Sequence, residues 1–146
     1  MFDKIKNLAK SAIVNGEVAL SRVVDKAAFK RVIEASYLIA NADDDFDSDE
    51  KKAVSKIIAK ELPQFKLNDI LAEIKACDEK VGFDKGMATL EMLDSISKAK
   101  GTPEAEMIMR IVCYIGEADG SFDGCEKLVA RDIAVRLDLP MKRYGL

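Results

Sequence analysis

The chain has no histidine and no tryptophan, three cysteines, three prolines and an aromatic fraction of only 6%. Without an imidazole there is no Ser-His-Asp or Cys-His nucleophile, no HExxH helix and no histidine-ligated transition metal, which disfavours conventional hydrolase chemistry. Cys77, Cys113 and Cys125 are odd in number, widely spaced and form no CxxC pair. That argues against a disulfide framework or a zinc ribbon and fits a reducing cytoplasm. No apolar run approaches the roughly 20 residues of a membrane span, and the first residues lack the apolar core of a signal peptide. A basic stripe with interleaved aromatics is also missing. With a net charge of -3 and a pI near 5.1, nucleic acid is not expected as a partner, because that binding draws most of its affinity from neutralised phosphates.

What is present fits one soluble globular domain spanning 1–146: 49% hydrophobic and 34% charged residues, in a length sufficient to bury a core without disulfides. One acidic stretch is written twice, from Ala42 to Lys51 and again from Ala118 to Lys127. At a shift of 76 residues Ala42, Asp43, Phe46, Asp47, Glu50 and Lys51 fall on Ala118, Asp119, Phe122, Asp123, Glu126 and Lys127. The register extends outward, with Ile39 on Ile115 and Ile57 on Ile133. Since the shift is about half the chain length, an internal duplication is the simplest account, and function is expected in the two loops.

Apolar spacing places helices on either side of each loop. Phe2, Ile5, Leu8, Ala12 and Ile13 mark an N-terminal amphipathic helix over 2–15, basic through Lys4, Lys6 and Lys10 and stopped at Asn15-Gly16. Packing on its own domain is the ordinary role of such a helix, and peripheral contact with an anionic membrane is the most it suggests beyond that. Phe29, Val32, Ile33, Tyr37 and Leu38 form the helix before the first loop, and Val54, Ile57, Ile58 and Leu62 the one after it, stopped by Pro63. Asn68 is expected to cap a helix carrying Ile70, Leu71, Ile74 and Cys77. Met87, Leu90, Leu93 and Ile96 form the next, towards Gly101. Thr102-Pro103-Glu104 opens another, with Ile108, Ile111, Val112 and Ile115 leading into the second loop. Leu128, Val129, Ile133 and Leu137 form the last helix, before Pro140. No segment alternates as a half-buried strand would. The expected fold is therefore all-α, a compact bundle of about seven helices in which helix–acidic loop–helix units recur at roughly 26–77 and 102–140.

Counted from Asp43, carboxylates fall at loop positions one, three and five, as Asp43, Asp45 and Asp47; the second copy has Asp119, Ser121 and Asp123 there. This is the spacing with which oxygen ligands wrap a hard cation. Position twelve is Val54 or Ala130, so the bidentate Glu of an EF-hand is missing; each copy instead has a Glu at position eight, Glu50 and Glu126. The candidate metal ligands are Asp43, Asp45, Asp47, Glu50, Asp119, Asp123 and Glu126, with calcium the expected ion and magnesium or manganese as alternatives on hardness. Helix capping competes with this reading. Asp47 with Glu50, and Asp123 with Glu126, have capping-box spacing, and acids in a first turn are favoured by the helix dipole. Capping leaves Asp43, Asp45 and Asp119 unexplained. Phe46 and Phe122 are expected to anchor the loops in the core, and Cys125 is taken as an incidental small residue.

With these residues in view, the chain resembles the tellurite-resistance protein TerB family. The resemblance is carried by Met1-Phe2-Asp3-Lys4-Ile5-Lys6, by Ile39 through Asp43 to Glu50-Lys51, by Ala118 through Asp123 to Glu126-Lys127, and by Tyr144-Gly145-Leu146. It implies a helical domain with pseudo-twofold symmetry and a metal-associated centre, onto which Asp43, Asp47, Glu50, Asp119, Asp123 and Glu126 map. It also implies a role in tellurite resistance, stress response or phage defence, coupling cytoplasmic Ter proteins to a membrane partner of the TerC type. Ser121 and Gly124-Cys125 depart from the richer acidic run common in the family. The expected function is thus a non-catalytic, metal-binding cytoplasmic adaptor, associated with the membrane only through a partner. Two alternatives stand beside it: a structural scaffold whose acids only cap helices, and a carboxylate-only metal hydrolase with Asp45 or Glu50 as general base.

Overall fold

An apolar stretch with little polar interruption, Val32 to Ile39, sets the architecture. In the computed structural model, which describes residues 25–118, 122 and 124–146, this stretch is buried without a break. It lies in helix α1 (Lys26–Ala40). Two helical turns buried on every side need neighbours all round. All five other α-helices of the described residues pack against α1: α2 (Ser48–Glu61), α3 (Leu67–Phe83), α4 (Lys85–Ser97), α5 (Pro103–Glu117) and α6 (Gly124–Arg136). A short 3-10 turn, Met141–Tyr144, follows and rests on α6. No strand occurs among the described residues, and the all-α class holds. They contain six α-helices; the amphipathic helix expected over 2–15 lies outside them.

Helix ends follow local chemistry, with two departures from expectation. Asp25 caps α1 by accepting the Ala28 N–H at 2.8 Å. At α3 the cap position is Lys66, not Asn68, and no side chain bonds to the helix end. After Pro63 the chain turns fast enough for Asp69 and Ile70 to donate to the Lys66 carbonyl, which starts the helix before Asn68. Thr102 does precede Pro103 in the first helical turn. Its hydroxyl, however, donates back to the Ala99 carbonyl at 2.6 Å and closes the preceding turn instead of capping. Asp84 is the sole residue between α3 and α4; it ends one helix and caps the other through the Met87 N–H at 3.1 Å.

The buried line of α4 runs through Ala88, Met92, Leu93 and Ile96. Met87 and Leu90, expected on the core face, lie off that line and are 56% and 54% exposed. Leu128 of α6 is likewise turned outward. By contrast Ile39, Ile115, Ile57 and Ile133 are all buried, as expected of apolar positions on these helices. Shifted by 76 residues, the bounds of α1 and α2 fall within one residue of those of α5 and α6. The first acidic loop is therefore held between two helices of the α1 cluster.

Candidate metal centre

The first loop is shaped by its own aspartates. Asn41 donates to the Tyr37 carbonyl as α1 ends, and Asp44 donates to the Asn41 carbonyl at 3.0 Å. Asp44 has a φ of +61°, in the left-handed region that aspartate tolerates better than most residues. One oxygen of Asp43 accepts the Asp45 N–H at 3.0 Å, closing an Asx turn. Phe46 then points inward, buried edge-to-face against Tyr37 at a centroid distance of 5.7 Å. Asp47 starts α2 by accepting the Glu50 N–H at 2.8 Å, the predicted half of a capping box. Glu50 sits half-buried in that first turn.

Beneath Phe46 the helices are tied together by polar contacts. The Tyr37 hydroxyl donates to Asp78 Oδ1 of α3 at 2.6 Å, and Lys51 of α2 pairs with the other Asp78 oxygen. Lys51 Nζ also lies 5.7 Å from the centre of the Phe46 ring, within cation–π reach. Burial first, and the bond to Asp78 second, hold the Tyr37 phenol far above its ordinary pKa. Above the ring the balance differs. Asp43, Asp45, Asp47 and Asp49 are exposed, and none makes an ion pair among the described residues. Asp44 pairs with Lys85 of α4 at 2.5 Å, with both side chains more than half exposed. Asp44, Asp78 and Lys85 were not singled out by sequence reasoning; each partner is 27 to 41 residues away, and no local spacing signals such a contact.

Of the second loop, Asp119 and Asp123 lie outside the described residues. Phe122 is half-buried and its ring lies on Gly116, where an added Cβ would come 1.9 Å from a ring carbon. Ala40 occupies the matching position in the first copy, so the two anchoring rings are seated differently. Glu126, in the first turn of α6, is only 6% exposed. Cys113 stands where the first copy has Tyr37. Burial pushes its thiol up to about 11, so it is no thiolate nucleophile near neutral pH. Cys125 is exposed.

The carboxylate oxygens suit a hard cation. Asp43 and Asp47 each turn one oxygen to a backbone N–H of their own turn, and among the described residues the second oxygen of each has no ion-pair partner. Among the described residues no three carboxylates or thiols converge into a metal-holding group. The expected ligands Asp43, Asp45, Asp47 and Glu50 share one loop and helix end, and Glu126 stands at the matching helix start of the second copy. No helix of the described residues is long and apolar enough to cross a membrane. A family model described as "Tellurite resistance protein TerB" matches residues 22–145. No curated protein and no solved structure matches the chain.

Proposed function

Because the chain belongs to the TerB family and carries a tellurite-resistance-related domain, we propose that it is a non-catalytic, divalent-cation-binding adaptor of a tellurite-resistance or wider stress-response system, phage defence included. The reading is carried by one observation. Four aspartates, Asp43, Asp45, Asp47 and Asp49, crowd a single helix start without an ion-pair partner among the described residues. Such a loop carries mutual repulsion that a bound cation relieves, and its oxygens favour calcium, then magnesium or manganese. In the proposed site Asp43, Asp45, Asp47 and Glu50 act with Asp119, Asp123 and Glu126. The internal duplication belongs to the same proposal, as the origin of two loops that share one centre. Binding would order the loops and present a surface to cytoplasmic Ter proteins and to a TerC-type membrane partner, through which the adaptor reaches the membrane.

A specific observation also favours a purely structural scaffold: Asp43 and Asp47 already satisfy backbone N–H groups of their own turns. Calorimetric titration of chelator-stripped protein with calcium, magnesium and manganese separates the two. Saturable heat in the wild type, lost in an Asp43→Asn, Asp119→Asn double variant, is the expected outcome. Absence of specific heat for all three ions leaves the scaffold.

A further inference from the structure

The corner at Asp84 leaves an apolar groove that the metal loops do not use. It runs between the C-terminal half of α3 and the first turns of α4, with a volume of about 470 Å³. Ala76 and Ala88 line it, and their small side chains give it depth; Phe83 and Met87 are its apolar walls. Phe83 is 94% exposed, and Met87 and Leu90 are more than half exposed. A phenylalanine this bare, with the exposed Met87 lining the same groove, gains nothing for the fold and leaves apolar area ready to be covered. Around it stand Glu79, Asp84 and Glu91 against a single cation, Lys80. None of these four makes an ion pair among the described residues. The rim therefore carries three acids against one lysine around an apolar floor.

We infer that this groove is a docking site for a basic amphipathic helix of a partner protein, one that lays leucine-type anchors at i, i+3 and i+4 against Phe83 and Met87 and sets lysines or arginines beside Glu79, Asp84 and Glu91. The mode is helix-in-groove recognition, with the apolar anchors giving affinity and the charged rim giving orientation and partner choice. The assignment is independent of metal binding, since none of the groove residues belongs to the acidic loops.

The test uses the full chain and a synthetic amphipathic helix with leucines along one face and lysines flanking them, followed by fluorescence anisotropy. Phe83→Ala should weaken binding about tenfold or more, as loss of a central aromatic anchor does. Glu79→Lys with Glu91→Lys should weaken it further and restore binding to a twin peptide whose lysines are glutamates. All three side chains are surface groups, so unchanged melting curves are expected and folding does not confound the result. Equal binding of both peptides by the wild type, or no loss in Phe83→Ala, overturns the proposal. Two other occupants would also overturn it. A concentration-dependent dimer abolished by Phe83→Ala would assign the groove to a second copy. Peptide affinity that rises on Phe2→Ser with Ile5→Ser would assign it to the chain's own N-terminal segment.

Discussion

Glu61, the last residue of α2, is the least comfortable charge in the described structure. It is 2% exposed, its Oε1 has no hydrogen-bond partner among the described residues, and burial raises its pKa from 4.5 to about 7. The Tyr114 phenol of α5 feels this charge: its pKa is raised by burial first and by Glu61 among lesser causes. A carboxyl whose pKa is higher folded than unfolded binds its proton more tightly in the folded state. Its contribution to stability is full below 4.5 and is lost as the pH rises through about 7. Between about pH 5.5 and 8.5 this amounts to about 2 kcal/mol. Glu34 adds to the trend in the same direction, because burial raises its pKa despite the 2.6 Å bond it accepts from Ser95. Urea unfolding across that range should show wild-type stability falling with pH and a flatter profile for Glu61→Gln. A Glu61→Gln slope equal to that of the wild type would place the titration elsewhere.

At the level of the helices, α2 has an N-terminus that serves two readings, and one side chain separates them. Asp47→Ala removes the cap on the Glu50 N–H and should cost about 1 kcal/mol with or without calcium. Asp47→Asn keeps a capping oxygen and removes the charge, so apo stability should stay near wild type. If Asp47 is a ligand, the calcium-induced rise in melting temperature should shrink in Asp47→Asn; an undiminished rise would make Asp47 a cap and nothing more. The cap was legible in the sequence because an N-cap bond spans only three residues. The same holds for the run of α1, for the proline at the start of α5 and for the buried isoleucines of the repeat register. What could not be read were effects decided by neighbours far along the chain. Periodicity put Met87, Leu90 and Leu128 on apolar faces but could not say which side the bundle covers, and the core line of α4 passes through Ala88 and Met92 instead. Asn68 and Thr102 were good caps by residue type, yet the turns before them set the helix starts and redirected the Thr102 hydroxyl. The ties from Asp78 to Tyr37 and Lys51, and from Asp44 to Lys85, join α3 and α4 to the first loop across more than 25 residues of sequence, where no local pattern operates.

Across the whole molecule, the tie between Asp44 and Lys85 connects the two surfaces proposed above. Asp44 belongs to the acidic loop, while Lys85 is the first residue of α4, between Asp84 and Met87 of the apolar groove. A cation that fixed the loop would hold Asp44 in its left-handed turn, and through Lys85 it would steady the corner against which a partner helix would pack. Coupling of this kind is reciprocal: the factor by which calcium tightens the basic peptide must equal the factor by which the peptide tightens calcium. Its size is bounded by the link. An ion pair with both members more than half exposed contributes up to about 1 kcal/mol, which limits the factor to about fivefold. Peptide titrations with and without saturating calcium, and calcium titrations with and without saturating peptide, should therefore return the same small factor in the wild type. Lys85→Met removes the charge while keeping the stem, and it should bring both factors to one without abolishing either binding event. Factors that persist in Lys85→Met would route the coupling through the packed interior, with the Tyr37, Asp78 and Lys51 contacts beneath Phe46 as the next link to break. Factors of one in the wild type would leave the loop and the groove as two independent sites on one helical frame.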